Sequence, residues 1–441
     1  MNKFHTYNNA TVVLNDEFIF DPWLYGKLYN NSWHPYGLKT LKKSKLKKIK
    51  YCFISHLHTD HWDIETIKYL PKSVIFIIPK LKTNKIIEKI LVKNNYKQII
   101  YAPIKKFVKI NDKYSLSVVR PLNNEGLETK NIIYQNKGTE IDTGVIIKTK
   151  NDNSNHLLLS DNSPYNLKGF INDYSKLKFK TVFFPFNGYA SDYPFCYDDL
   201  SVKEKKAICA NKIRKLTKKN ITFFKYIKPD LLIPYSSQFE LKNKNEKKFK
   251  SIIDFTFFDK KKYVKFFNNN FPDQNIIALT ENDTLYSYKK NFHVEPDNAK
   301  NLESIKHKIV KPNFPKIKSN YDNDDLLEDL NISIKSWLLR IQKYKLDLNQ
   351  IYKTNFYIKV NKHNKTFKVD FKNQVCNELK NSKYKLREKY LKLKIDFDIL
   401  VNILNRKLHI NNCTIGFCLN WERIPNQYNS ELYDSLNFFH K

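Results

Sequence analysis

The chain has 441 residues, enough for one large α/β domain and a smaller companion with a core of ordinary depth. It contains no apolar run of about eighteen residues, which excludes a helical membrane span. Its opening, MNKFHTYNNATVVLNDEF, lacks the apolar stretch and small-residue cleavage site of a secretory signal, so a cytoplasmic location is expected.

A formal net charge of +34 invites a nucleic-acid reading, since a basic face attracts phosphate. However, the lysines are spread through every segment. With 8 Gly and 1 Met, the chain is crowded with Lys, Asn, Ile, Phe and Tyr, the mark of A/T-rich codons. Dispersed charge reads as a solvated surface that favours an anionic small-molecule substrate, and nucleic acid is disfavoured. The cysteines at 52, 196, 209, 376, 413 and 418 form no CxxC pair and fit reduced, buried thiols.

Strand-sized apolar runs fill the first half, at residues 10–14, 18–20, 50–54, 74–78, 115–119, 144–148, 156–159, 180–184 and 230–233. Helical patterns at 63–70, 84–94 and 202–218 lie between them. Strands interleaved with helices at this density predict a layered α/β domain. The chain turns Lys/Asn/Asp-rich at 241–263 and again at 294–325, where Pro312 and Pro315 punctuate it. The expected organisation is a catalytic domain at 1–293, a linker at 294–325 and a small α+β domain at 326–441. In the last, 356–360 and 366–371 alternate around an Asn361-Lys362-His363-Asn364 turn and predict a hairpin, 396–408 an amphipathic helix, and 414–419 a strand.

Directly after the buried strand pattern at 51–55 comes His56-Leu57-His58-Thr59-Asp60-His61. A strand end is a rigid mount, and the loop after it lets His56 and His58 point the same way while Asp60 and His61 open the next turn. Imidazole plus carboxylate suits one or two transition-metal ions, Zn or Fe, over thiolate-preferring metals. A solvated loop is the bland reading, but HxHxDH after a hydrophobic strand is a demanding pattern. Asp60, placed between two histidines, is the candidate general base. Asp161 ends another apolar strand, with capping of the next turn as its alternative role, and Asp21 ends a third.

Together with Asp21-Pro22-Trp23-Leu24, Gly26 and Trp33, this cluster resembles the metallo-β-lactamase superfamily, and within it the CMP-N-acetylneuraminate hydroxylases. Further matching stretches are Glu140-Ile141-Asp142-Thr143, Gly188-Tyr189-Ala190-Ser191 leading to Pro194, Lys228-Pro229-Asp230, and Ile415-Gly416-Phe417 with Arg423. The resemblance implies an αββα sandwich in which His56 and His58 bind a first metal and Asp60 and His61 a second. It makes Asp161 the bridging carboxylate and Asp21 the residue that orients the loop, with Trp23, Trp33 and Arg423 shaping a substrate pocket. It implies a (nucleotide-)sugar or amide-bearing substrate, acted on by an oxygenase or a hydrolase.

Members of that family carry a Rieske module, but this chain has no Cys-x-His and Cys-x-x-His pair. An oxygenase would therefore take electrons from an external donor. The two later histidines of the superfamily are also missing: 118–122 contains no His, and 233–238 offers serines. Glu140 and Asp142 are the candidate oxygen ligands in their stead, and His156 is expected to precede its strand, exposed. The competing functions are a nuclease of the same fold and a non-catalytic component of a glycan pathway.

Overall fold

The computed structural model describes residues 1–37, 39–81, 84–122, 142–164, 166–187, 192–236, 238–242, 249, 252, 259–281, 283–288, 291–296, 301–304, 313–317, 321–344, 346–361, 364–379 and 389–441. In chain order the first unit comprises β1 (Asn2–Thr6), β2 (Val12–Leu14), β3 (Phe18–Phe20), β4 (Trp33–Pro35), β5 (Lys39–Leu41), β6 (Tyr51–Phe53), β7 (Ile75–Pro79), α1 (Lys85–Lys93), β8 (Ile99–Ala102), β9 (Val108–Lys109), β10 (Tyr114–Val119), β11 (Gly144–Thr149) and β12 (Ser154–Leu158). It continues with α2 (Leu167–Tyr174), β13 (Phe179–Pro185), α3 (Val202–Ile227), β14 (Leu231–Tyr235), β15 (Phe239–Leu241), α4 (Lys260–Asn270), β16 (Asp283–Tyr288), β17 (Asn291–Pro296) and β18 (Leu302–Ser304).

Two sheets form the frame, ordered β17-β16-β1-β2-β3-β6-β7-β8 and β14-β13-β12-β11-β10-β9. Each is antiparallel through its hairpins and turns parallel where helices supply the crossovers, at β3/β6/β7/β8 and β12/β13/β14. Strand alternation then builds four layers. Phe18, Phe20, Phe53 and Ile77 of the first sheet face Leu116, Val118, Val145, Leu158, Phe183 and Ile233 of the second in one shared core. Their neighbours Ile19, Cys52, Phe76 and Ile78 point outward onto Ile87 and Leu91 of α1. On the far side Ile146, Leu157, Val182 and Leu232 pack under Phe170, Phe223, Phe224 and Phe267 of α2, α3 and α4. Side chains that alternate faces with period two force this helix-sheet-sheet-helix stacking, as expected for the αββα sandwich.

α3 runs to Ile227, well past the expected end at 218, because Ser201 and Glu204 close a capping box at its start and Lys228, at φ 43°, stops it. β18 pairs with β5, so residues 302–304 complete a strand pair of the first unit.

The second unit holds α5 (Asn323–Lys343), β19 (Asn355–Val360), β20 (Lys365–Asp370), β21 (Val375–Glu378), β22 (Tyr390–Ile395), α6 (Phe397–Leu404), α7 (Ile410–Ile415) and β23 (Asn420–Ile424). Its sheet order is β21-β20-β19-β22-β23. β19 and β20 form the expected hairpin. The strand expected at 414–419 is corrected. Residues 410–415 are helical, with Ile410 and Cys413 buried one turn apart, and the strand starts only at Asn420. The largest hydrophobic cluster joins the two units, with Trp23, Tyr29, Trp33 and Phe195 beside Trp337, Phe356, Phe417 and Trp421. Trp421 N donates to Cys196 O and Asp198 N to Trp421 O, both at 2.8 Å, so β23 extends backbone pairing into the first unit.

No helix among the described residues is long and apolar enough to cross a membrane.

Candidate metal centre

Three strand ends build the site. β6 delivers the loop 55–61, β3 delivers Asp21, and β12 delivers Ser160 and Asp161, all at the carboxyl ends of parallel strands, where open α/β sheets place their ligands. Asp21, at φ 45°, knots them together. Its Oδ1 accepts from Ser55 N at 2.7 Å, and its Oδ2 accepts from Ser55 Oγ at 2.8 Å and Ser160 Oγ at 2.7 Å. The same oxygen lies 3.1 Å from His61 Nδ1. A carboxylate behind one ring nitrogen fixes the tautomer and turns the other nitrogen into the site, as outer partners of metal-binding histidines do. Asp21, expected to orient the loop, lies behind Ser55, Ser160 and His61.

The ligand-type atoms converge in front of that knot. His56 Nε2 lies 3.0 Å from His58 Nδ1 and 3.5 Å from Asp142 Oδ1, and His58 Nδ1 lies 4.0 Å from the same oxygen. His61 Nε2 lies 3.2 Å from Asp161 Oδ2 and 3.3 Å from Asp60 Oδ2. Two groups able to hold an ion emerge, His56/His58/Asp142 and His56/His61/Asp161, each with its donor atoms within 4.8 Å of one another. Of the two oxygen ligands weighed for the missing histidines, Asp142 joins the site, whereas Glu140 lies outside the described residues, as does the Gly188–Ser191 stretch.

Electrostatics set the protonation. Burial, aided by repulsion from His61 and His58, holds the His56 imidazole well below its ordinary range, so it is neutral, with Nε2 turned toward His58 Nδ1. For His61 burial works against the charge, but Asp60, Asp161 and Asp21 outweigh it and raise the pKa well above 6.5. Asp60 is likewise opposed by burial and held below the usual carboxylate range by His61 and His58. Both Asp60 oxygens are engaged: Tyr29 Oη donates to Oδ1, and Asn9 Nδ2 donates to Oδ2 at 2.8 Å.

Asp161 Oδ1 is a buried acceptor that meets no donor among the described residues. A carboxylate oxygen left so is costly unless a cation meets it. The donor set and this orphan atom fit a transition metal. His56 and His58 with Asp142 would hold one ion. Each imidazole nitrogen has a single lone pair, which leaves Asp60, Asp161 and, once a cation displaces its extra proton, His61 for a second.

Sequence reasoning missed the supporting side chains Ser55, Ser160, Tyr29 and Asn9. Ser236, following β14 where a histidine was sought, donates from Oγ to Ser160 O at 3.2 Å and so braces the knot. Trp23 and Trp33, expected to shape a substrate pocket, are 0 % and 1 % exposed and pack in the shared core. Arg423 lines a separate cavity.

His156 also differs from expectation. It lies within β12, not before it, and is fully buried, with Nδ1 at 2.8 Å from Thr181 Oγ1 and Nε2 at 3.4 Å from both Asn2 Nδ2 and Thr149 Oγ1. Next to it Asp152 accepts from Thr149 Oγ1 at 2.7 Å and pairs with Lys180 Nζ at 3.3 Å.

Two facing sheets, a loop of alternating histidines after β6 and a carboxylate after β12 define the architecture. This is the metallo-β-lactamase fold. No family model and no curated protein matches the chain, so the hydroxylase resemblance rests on the quoted motifs alone. Among solved structures the chain is similar to an isothiocyanate hydrolase from Delia radicum gut bacteria, at 13 % identity and TM-score 0.44, covering 65 % of this chain and 99 % of that one. It is also similar to Igni18, a metallo hydrolase from the archaeon Ignicoccus hospitalis, at 13 % identity and TM-score 0.40, covering 65 % and 99 %. A third is CmlA, a diiron β-hydroxylase from Streptomyces venezuelae, at 12 % identity and TM-score 0.40, covering 67 % of this chain and 54 % of that one.

Proposed function

We propose that the chain is a metal-dependent enzyme acting on a small anionic molecule. A nucleotide-activated or amide-bearing sugar is the class favoured by the sequence resemblance. The observation that supports it most is the convergence of His56, His58 and His61 with Asp142 and Asp161, the last holding a buried oxygen without a donor. Bound Zn or Fe would act as a Lewis acid and bring the pKa of water near ~7. The chain's own residues do the rest. Neutral His56 presents its lone pair, Asp21 holds His61 from behind, and Tyr29 and Asn9 fix the Asp60 carboxylate in one orientation, preorganised as a site of this kind requires. Asp60 stays ionised through the neutral range, which suits it to anchor a cation more than to act as the general base its place between histidines suggests.

Hydrolysis needs nothing further, whereas hydroxylation would draw electrons from an external protein donor. Metal analysis of protein purified without oxygen decides between them. Near-stoichiometric iron supports oxygen chemistry and zinc supports hydrolysis. Absence of metal from both wild type and protein reconstituted with either ion would leave a non-catalytic relative and end the proposal.

A further inference from the structure

A cavity of about 380 Å³ opens where the second unit meets α3 and the segment 192–197, and it shares no residue with the metal centre. That volume is at the small end of the range that ligand pockets span. Its walls are aromatic: Tyr193, Tyr197, Trp421, Tyr428 and Tyr433, with the last two rings stacked at 4.9 Å. α7 separates it from the metal loop. Ile410, Asn411 and Thr414 face the cavity, while Cys413 meets Asn30 and Gly416 abuts Tyr29 on the other side.

Two buried charged groups in it are incompletely matched. Arg423 is 5 % exposed; its guanidinium lies 4.5 Å from the Tyr193 ring centre and 4.8 Å from that of Tyr197, and Nε donates to Asn426 Oδ1 at 2.8 Å. Among the described residues no carboxylate closes an ion pair with it. Asp192 is 9 % exposed; it lies beside Trp421 and within the field of Lys212 and Arg423, but its Oδ2 lacks a well-aligned donor. Lys212 donates to Tyr193 O at 2.7 Å and adds a second cation to the same wall. Asp192 balances these cations only through space, so the Arg423 guanidinium keeps N–H donors that an acid group entering the cavity could meet.

We propose that this cavity is a second binding site, for a small ring-bearing acid. Its acid group pairs with Arg423, its ring lies against the tyrosines, and one of its hydroxyl or amide hydrogens is accepted by Asp192. Arg is suited to this because its planar fork binds an acid group bidentately while its faces stack on rings. A carboxylate and a phosphate monoester share this chemistry, and the two are told apart by experiment.

The test is calorimetric titration of the full chain with D-glucuronate, uridine 5′-monophosphate and inorganic phosphate. At least one ring-bearing probe is expected to bind, roughly tenfold to a hundredfold more weakly in Arg423→Gln and in Lys212→Met, the second variant lying nearer the surface and guarding against a folding defect in the first. Binding is expected to persist in His56→Ala, so failure here and failure of the metal reading are separable. The proposal is overturned if no probe binds, if inorganic phosphate alone binds as tightly as the ring-bearing probes, or if binding is lost in His56→Ala and kept in both cavity variants.

Discussion

One strand, β12, serves two buried histidine networks of opposite character. Within it His156 sits among Thr181, Asn2 and Thr149, with Asp152 and Lys180 paired beside it. Just past its end Asp161 faces His61, with one oxygen left over. The first network is closed, since each charge has its opposite and each ring nitrogen a neighbour. The second gathers three imidazoles and several carboxylates toward one point and leaves an acceptor unanswered there. Each network holds a fully buried histidine with a carboxylate close by, so a buried His–Asp pair alone does not mark the site; the unanswered valence does.

The sharpest break in this comparison is His56→Ala, expected to abolish stoichiometric metal binding, read by elemental analysis, while His156→Gln leaves the metal content unchanged. Equal metal loss in both variants would erase the distinction. Next is Lys180→Met, which strands the Asp152 carboxylate; with side chains 5 % and 1 % exposed it should cost about 3–5 kcal/mol in denaturant unfolding without altering metal content. Ser160→Ala removes one donor to Asp21 and should weaken metal affinity by roughly tenfold to a hundredfold in competition with a chelator. An unchanged affinity would make the knot mere packing.

The smallest effect is on pH. Burial holds the His156 pKa below its ordinary value, so the unfolded chain takes up the proton first. The stability this contributes is complete above about pH 6.5 and declines as the pH falls below it, by at most about 1.4 kcal/mol per pH unit. Unfolding curves for wild type and His156→Gln should therefore converge on acidification, and parallel curves would count against a neutral His156.

Much of this was legible in the sequence. Short continuous apolar runs at 18–20, 50–54 and 144–148 announce strands buried on both faces, and HxHxDH after one of them announces the site. Asp142 was only one of two candidates, because replacing a distant histidine with an acid on another strand leaves no local pattern. Ser55, Ser160 and Tyr29 carry no signal at all in a chain with 28 tyrosines. Their roles exist only once three strand ends meet. The segment 414–419 was misread for the same reason, since helix and strand bury a short apolar run equally well until the neighbouring surface chooses.

That surface includes Gly416, where a Cβ would stand 2.7 Å from Tyr29 O and 3.0 Å from Asn412 O. Tyr29 in turn holds Asp60. The second unit is thus no detachable module, free to be shuffled between genes or trimmed by an engineer. A single methyl group at residue 416 would push on the backbone that carries Tyr29, and a mutation hundreds of residues downstream of the histidines would be inherited as a defect of the metal loop.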